Sequence, residues 1–532
     1  MTITDPTSAV SEAGRYWTSA NIGEATPDVL SPLCWSFWGP QAEAAARRSY
    51  HVFGILSKRE LAVPTDVNQL MTGYFYGRPA LNVDLLRPFF GSLPGVSADD
   101  FERDMCGHVR PGLPAASRRS RLPFIVVRGV LGMRSTPKRQ RALVPRQRAW
   151  WEREVRDRTA PGDPYARLAD AAARYRESFE IHCCGRFVLM SAQSTLAKLA
   201  VGIGRPELLL GLLTGLGGVT EVQLADDLWQ VSRERLTLEQ FVGRHGFHGP
   251  NEGNVASRSW REDPTPMRRL LGSLATRPDD QRPTTREAAG ATARRRAVDE
   301  FVAALPARSQ RSARRACDAL VRSTQANELS KASFLMAIDG ARAAARDIGR
   351  QLVAAGVLAD VEDVFYLTMD ELRPLPADVA EVVAFRRRRR QHHRTLALPV
   401  TFTGTPEPLH RDDAAADDSD TITGAAGAQG QVDGPARVVL DPGDAEPLQP
   451  GEILVCRFTD PSWTPLFMLA EALVIDIGGP ASHGAIVARE LGLPCVIGTG
   501  DGTQRIRTGD RIAVDGSTGI VRIRQRAASV VP

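Results

Sequence analysis

"EALVIDIGGPASHGAIVARELGLPCVIGT", residues 471–499, sets a short apolar run, a glycine pair, one histidine and an amphipathic stretch in that order. "ALVIDI" has the unbroken apolar character of a buried strand. Gly478 and Gly479 permit a sharp turn that other residues would resist. Ser482 stands where a helix N-cap is expected, which puts His483 in the first turn of a helix that Gly492 and Pro494 end. A strand, a turn, a helix and a second strand, "PCVIGT", make one step of an α/β domain. The flanking runs "QVDGPARVVL", "GEILVCRF", "DRIAVDG" and "GIVRI" supply its other strands. The expected domain covers residues 430–526, with a tail at 527–532.

A histidine in the first turn of a helix sits beside unsatisfied backbone N–H groups and the positive end of the helix dipole. That setting disfavours imidazolium and favours a nearby anion. It suits a neutral, nucleophilic imidazole that accepts a phosphoryl group, and it equally suits an ordinary surface histidine. Residue type and position alone leave both readings open.

Around this domain the composition narrows the classes. A chain of 532 residues exceeds one typical core. Its net charge of +5 comes almost wholly from arginine, since the lysines are Lys58, Lys138, Lys198 and Lys331. Heavy use of arginine and alanine reads as a coding bias before it reads as a nucleic-acid footprint. The opening "MTITDPTSAVSEAG" lacks a basic region followed by an apolar one, and the longest apolar run, "LLLGLLTGLGGV" from Leu208, is too short to span a bilayer. The expectation is a cytoplasmic protein without membrane or nucleic-acid partners. Seven cysteines, including the adjacent Cys183 and Cys184, show no metal-ligand spacing and read as reduced thiols. No metal site is expected.

Residues 1–400 read as a mostly α-helical domain, typified by "DAAARYRESFEIHCCGRFVLMSAQSTLAKLAVGIG" with apolar residues three and four apart. The run Arg386–Arg390 could bind polyanions but, with no aromatic residues interleaved to stack bases, reads as a solvated helix end. Residues 401–429, rich in Gly, Ala, Asp, Thr and Pro, read as a flexible linker. The expected architecture is multidomain: a large helical substrate-binding domain, a linker and a small mobile α/β domain.

"GGPASHGAIVARELGLPCVIGT", with "PGEILVCRFTDPSWTPLF" before it and "GDRIAVDGSTGIV" after it, resembles the swivelling phosphohistidine domain of PEP-utilising enzymes. In that order, "WTSANIGEATPDVLSPLCWSFW", "GRHGFHGPNEGN", "NELSK" and "DVFYLTMDEL" resemble the substrate-binding body of rifampicin phosphotransferase-like proteins. The resemblance implies that His483 carries phosphate, with Thr464, Gly479, Ser482, Gly484 and Arg489 around the phosphoryl group. Arg489 pairing with Glu490 or Asp476 as a surface ion is the other reading. It also implies that Glu328 takes a proton from an attacking hydroxyl while Lys331 steadies the transferred charge. Alternatively these two form an exposed ion pair. Asn21, Glu24 and Asn327 are implied acceptor contacts, and His248 and Glu252, also in the matching stretch, read either as a second acid-base pair at the acceptor or as an ordinary core or surface pair. Trp17, Trp35, Trp38, Tyr74, Phe75 and Tyr76 read either as walls of the acceptor pocket or as core aromatics. In such proteins the Asn327 position is usually arginine and the His248 position tends to be, so two fixed cations are missing from the expected phosphoryl site.

No G-x-x-x-x-G-K-[ST] loop occurs, and no long stretch is left over for a nucleotide domain. The reading therefore expects a separate ATP-grasp protein to load His483 from ATP, or loading from PEP, with Mg2+ used at that step and no tightly bound cofactor. The expected function is phosphoryl transfer to a hydroxyl of a small, natural-product-like molecule. A dehydratase or cyclase acting through a transient phosphorylated substrate, and a non-catalytic binding protein with a vestigial histidine domain, are the alternatives.

Overall fold

The computed structural model describes residues 5–20, 22–26, 28–93, 96–114, 116–159, 162–218, 220–409, 419–441, 448–449, 451–479 and 482–527. The chain forms two compact units. One takes Met1–Ser191, Asn251–Arg258 and Ala326–Ala414; the other takes Ala192–Pro250, Ser259–Gln325 and Ala415–Pro532. A large helical region and a smaller α/β sheet near the C-terminus make up the fold.

The first unit is built on long helices: Pro32–Val52, Leu122–Trp151, Val379–Thr395 and parts of Pro164–Gly202 and Ala307–Ala354. Ser31 starts the first of them by accepting from the Cys34 amide, with Pro32 in the first turn where its missing N–H costs nothing. A small sheet of strands β1 (Tyr16–Thr18), β2 (Thr72–Phe75), β3 (Arg78–Asn82) and β4 (Thr401–Thr403) runs in the order β2-β3-β1-β4. Tyr50, Phe53, Phe89, Phe101 and Phe187 share its principal core.

The arginine run is a solvated helix end only in part: Arg387 and Arg388 are exposed, whereas Arg386 is buried. Within Val379–Thr395, Arg386 pairs with Glu371 at 2.6 Å, Arg389 with Asp5 at 3.2 Å and Arg390 with Asp28 at 3.0 Å, while Arg387 pairs with Asp363. These acids lie far off in sequence, so the charge run conceals its own neutralisation.

In the second unit an eight-stranded sheet runs β5-β12-β11-β7-β8-β9-β10-β6, comprising β5 (Thr421–Thr423), β6 (Ala425–Ala428), β7 (Gln431–Val439), β8 (Ile453–Cys456), β9 (Ala472–Ile475), β10 (Cys495–Ile497), β11 (Arg511–Asp515) and β12 (Ile520–Gln525). Strands β7 to β10 are parallel, and β8, β9 and β10 are wholly buried, which is why they read as continuous apolar runs. Alternate side chains feed two cores. Ile453, Val455 and Val474 pack with Ile512, Val514 and Val521; Leu454, Cys456, Leu473 and Ile475 face a cluster that includes Trp229, Met267, Leu270 and Leu274 from the helices Thr220–Ser232 and Thr265–Ala275. Those helices, read from sequence as part of residues 1–400, share their core with the sheet.

The expected linker at 401–429 is partly sheet. Thr401–Thr403 pairs with β1, Thr421–Thr423 with β12 and Ala425–Ala428 with β10; residues 410–418 lie outside the described residues. The glycine and alanine content that suggests flexibility serves close packing here. A Cβ on Gly424 would lie 2.7 Å from the Ile497 carbonyl, and one on Gly427 2.9 Å from Cys495 Sγ.

Candidate functional site

His483 opens the helix His483–Leu491, which crosses from β9 to its parallel neighbour β10. The turn that delivers it is anchored on three sides. The Ile477 amide donates to Arg457 O at 2.8 Å, the Gly498 amide to Ile475 O at 2.8 Å, and Gly478 takes a φ of 138°. Asp476, at the end of β9, accepts from Thr499 Oγ1 at 2.7 Å and from the Thr503 amide and hydroxyl, while burial raises its pKa. Gly492, at φ 65°, ends the helix as its pattern requires.

One expected detail at the helix start differs. Ser482 occupies the N-cap position, yet its hydroxyl makes no capping bond; Oγ is buried and unpaired among the described residues, as is Thr464 Oγ1. A buried hydroxyl without a partner carries a free-energy cost that an incoming acceptor or donor would remove. Gly484 is there for packing, because a Cβ would lie 2.6 Å from Thr459 Oγ1 and 2.6 Å from Ile475 Cδ1. Around Gly479 the space is open, with nothing within 4 Å of a would-be Cβ.

Arg489 points elsewhere. Its Nη1 donates to the Gly427 carbonyl of β6 at 2.8 Å, and burial pushes its pKa down to about 10. Six residues along a helix is about 9 Å of rise, well away from the end that presents His483. Glu490 accepts from the Leu216 and Gly217 amides at 2.8 and 3.1 Å, and burial raises its pKa. Arg489 and Glu490 also act on each other through charge, Arg489 lowering the Glu490 pKa and Glu490 raising that of Arg489.

The residue that sequence reading missed is Glu221. It stands in the first turn of Thr220–Ser232, 2% exposed at its side chain, with Oε1 3.6 Å from Nδ1 of His483. An acid some 260 residues upstream carries no local signal. A carboxylate facing Nδ1 favours the tautomer that keeps a proton there and leaves the lone pair on Nε2.

In the first unit, Asn327 and Glu328 are buried at 1% and 7% exposure on the helix Ala307–Ala354, and Lys331 is half-buried one turn on. Glu328 is therefore not half of an exposed surface pair. The Asn327 Oδ1 is buried without a hydrogen-bond partner among the described residues. Ser330, between them, donates to Asn327 O at 2.8 Å, accepts from Gln140 Nε2 at 3.4 Å and lies 3.3 Å from Nδ1 of His182. His182 and Gln140 are again residues the sequence reading passed over.

The expected aromatic walls are distributed differently. Trp35 stacks on Tyr74 with ring centroids 4.3 Å apart, and Trp17 is core, its indole donating to Ser11 Oγ. Tyr76, at φ 48°, stands edge-on to His393 at 5.4 Å. Phe37 of the Pro32–Val52 helix lies 5.6 Å from Tyr175, which is followed ring to ring by Phe179, Phe334 and His182. His248 is 4% exposed among Phe247 and Trp260 in the second unit. Glu252 is 3% exposed in the first, its carbonyl held by Arg342 at 2.7 Å. Asn21 lies outside the described residues, as does the side chain of Glu24, whose backbone belongs to the short helix Ile22–Ala25.

Among the described residues no group of three or more His, Cys, Asp or Glu is placed to hold a metal ion, and no helix is long and apolar enough to cross a membrane.

Residues 448–519, which include His483, match the family model of the mobile domain of PEP-utilising enzymes, and residues 234–328, ending at Glu328, match that of the rifampicin phosphotransferase fourth domain. A rifampicin phosphotransferase from a Streptomyces species is 34% identical over 340 residues, covering 58% of this chain and 37% of that protein. An uncharacterised protein of Mycobacterium tuberculosis is 36% identical over 288 residues, 54% of this chain and 31% of its own. Chondramide synthase of Chondromyces crocatus is 35% identical over 305 residues, 50% of this chain and 8% of its own. The chain thus spans well under half the length of each of these relatives. Among solved structures, a solution structure of Enzyme I covers 70% of this chain and 84% of that one at 12% identity and a TM-score of 0.16, too slight a likeness to bear on the fold.

Proposed function

We propose that this chain, similar to rifampicin phosphotransferase over 58% of its length and to the mobile domain of PEP-utilising enzymes over residues 448–519, passes a phosphoryl group through His483 to a hydroxyl of a small organic molecule. The observation that carries the reading is the start of the His483–Leu491 helix. A histidine there is preceded by a buried, unpaired Ser482 hydroxyl, at a helix end that favours anions.

In the loading step the lone pair of His483 Nε2 attacks phosphorus, the P–O bond to the donor breaks, and a P–N bond forms. In the second step the acceptor hydroxyl oxygen attacks, the P–N bond breaks, and the hydroxyl proton passes to a base. Glu328 is the proposed base and Lys331 the cation that offsets charge on the transferring oxygens. Asn327 and His248 supply no fixed positive charge, so Lys331 carries more of that stabilisation than it would beside an arginine. The donor is proposed to be ATP with Mg2+, delivered by a separate ATP-grasp protein, or PEP. The α/β domain is proposed to move between donor and acceptor. The segment shared with chondramide synthase supports an acceptor of natural-product type.

The test is intact-protein mass spectrometry without acid, after incubation with Mg-PEP, with Mg-ATP, and with Mg-ATP plus a candidate ATP-grasp protein. One added phosphoryl group, lost in His483→Ala, is expected. An adduct that survives His483→Ala, or none under any donor condition, overturns the reading.

A further inference from the structure

The first half of the helix Leu122–Trp151 is amphipathic in the reverse sense. Its inward face includes Ile125, Gly129, Gly132, Thr136 and Gln140, buried and mostly small or polar. The glycines let the helix press on its neighbour, since a Cβ on Gly132 would lie 3.2 Å from the Phe53 ring. On the outward face Leu122, Phe124, Val126, Val127, Val130 and Leu131 are each between 47% and 65% exposed. Single exposed apolar side chains are ordinary, but six within ten positions form a patch of the kind that marks an interaction surface.

The charge around this patch has one sign. From Met105 to Trp151 the sequence holds eleven Lys and Arg and no Asp or Glu. Phe124, Val127, Leu131, Arg134, Lys138 and Arg141 follow one another at alternating spacings of three and four, which aligns them in one stripe along the helix. The stripe changes character along the axis. Its first three members are apolar, and its last three are exposed cations with no acidic partner among the described residues. Each half is about 10 Å long at about 1.5 Å of rise per residue. Arg119, likewise exposed, precedes the apolar half, so cations stand at both of its ends.

We propose that this face binds the surface of a bilayer containing anionic lipid, with Val127, Leu131 and their apolar neighbours entering the boundary of headgroups and acyl chains while Arg134, Lys138 and Arg141 meet the lipid phosphates. Two features choose a bilayer over a protein partner. The apolar half has no exposed hydrogen-bonding side chain, and its length matches the roughly 5–10 Å to which interfacial helices bury. The charge on either side of it is cationic throughout, which suits a plane of phosphates better than a protein surface of mixed sign. Such a face lies at a bilayer without spanning it, and no described helix is long and apolar enough to cross one. The proposal replaces the expectation of no membrane partner and is independent of phosphoryl transfer at His483.

The experiment is co-sedimentation of the full chain with large unilamellar vesicles of phosphatidylcholine alone and of phosphatidylcholine mixed with phosphatidylglycerol, at low and at high salt. Binding to the mixed vesicles is expected to be roughly tenfold tighter or more than to phosphatidylcholine alone, and to weaken at high salt. Val127→Ser/Leu131→Ser and Arg134→Gln/Lys138→Gln/Arg141→Gln change exposed positions, and each is expected to cost roughly tenfold or more in affinity with an unchanged circular dichroism spectrum. Val63→Ser, at an exposed apolar position elsewhere, is expected to bind as the wild type does. No binding to the mixed vesicles, equal binding to both kinds, full affinity in either folded variant, or an equal loss in Val63→Ser overturns the proposal. A dimer that Val127→Ser/Leu131→Ser disperses, found together with absent vesicle binding, assigns the face to a second copy of the chain instead.

Discussion

Nδ1 of His483 lies 3.6 Å from Oε1 of Glu221, with the two side chains 8% and 2% exposed. The other carboxylate oxygen accepts from Thr220 Oγ1 at 2.9 Å, so the acid is held in place. A phosphoryl group adds roughly −1.5 to −2 of charge to a space that already holds a buried carboxylate. At an effective dielectric of about 20, like unit charges about 5 Å apart repel by roughly 3 kcal/mol. Phosphorylation is therefore expected to loosen the His483–Leu491 helix from Thr220–Ser232, and Glu221→Gln to reduce that loosening. Amide hydrogen exchange of both helices, with and without phosphate on His483, measures it; the same increase in wild type and variant would rule out a role for the carboxylate.

Arg489 ties its helix to β6 through the Gly427 carbonyl. Removing the donor leaves a buried carbonyl unpaired, at a cost of about 1–3 kcal/mol. Arg489→Met is expected to lower the melting temperature by several degrees and to leave the rate of His483 phosphorylation within about twofold of wild type. A rate at least tenfold lower at unchanged melting temperature would return Arg489 to the phosphate.

Gly484 leaves no room for a methyl group between Thr459 Oγ1 and Ile475 Cδ1. Gly484→Ala is expected to destabilise the second unit by about 1–3 kcal/mol through overpacking. Adding Ile475→Val, which removes Cδ1, should recover part of that loss. Denaturant titration of the two variants decides the matter: no recovery would place the strain on the Thr459 side alone.

What could be read in the sequence follows the reach of each signal. The step from "ALVIDI" through His483 to Gly492 was legible because strand, turn, helix and stop are neighbours in the chain, and the structure places β9, the helix and β10 in that order. Glu221, His182 and Gln140 were not legible, since each meets its partner only after distant helices pack, and an isolated Glu or His on a helix has no distinguishing periodicity. The Ala and Gly of 424–428 misled for a related reason. Low side-chain volume has the same appearance in a linker and in an edge strand pressed against Cys495 and Ile497. Arg386, Arg387, Arg389 and Arg390 look unpaired in the sequence until Glu371, Asp363, Asp5 and Asp28 arrive from elsewhere.

Two histidines of the first unit, the half-buried His182 and the buried His393, set its behaviour in acid. Burial is the largest cause in both cases, pushing the pKa of His182 down to about 3 and that of His393 to about 4 from the ordinary 6.5. Neither ring nitrogen of His393 has a hydrogen-bond partner among the described residues, and Asp5 stands 3.8 Å from Nε2. Between pH 6.5 and about 4 the unfolded chain takes up protons at both positions that the folded chain refuses. Because the unfolded state then binds more protons, stability falls as pH falls. The contribution is complete above 6.5 and is lost progressively toward about 4 for His393 and about 3 for His182, with a limiting slope of about 1.4 kcal/mol per pH unit for each group. The melting temperature of the wild type is expected to drop across this window, and that of His393→Leu to drop less steeply, because one of the two protons no longer distinguishes the states. Parallel curves for the two proteins would mean that His393 is protonated alike in both states and that its burial does not govern the acid response.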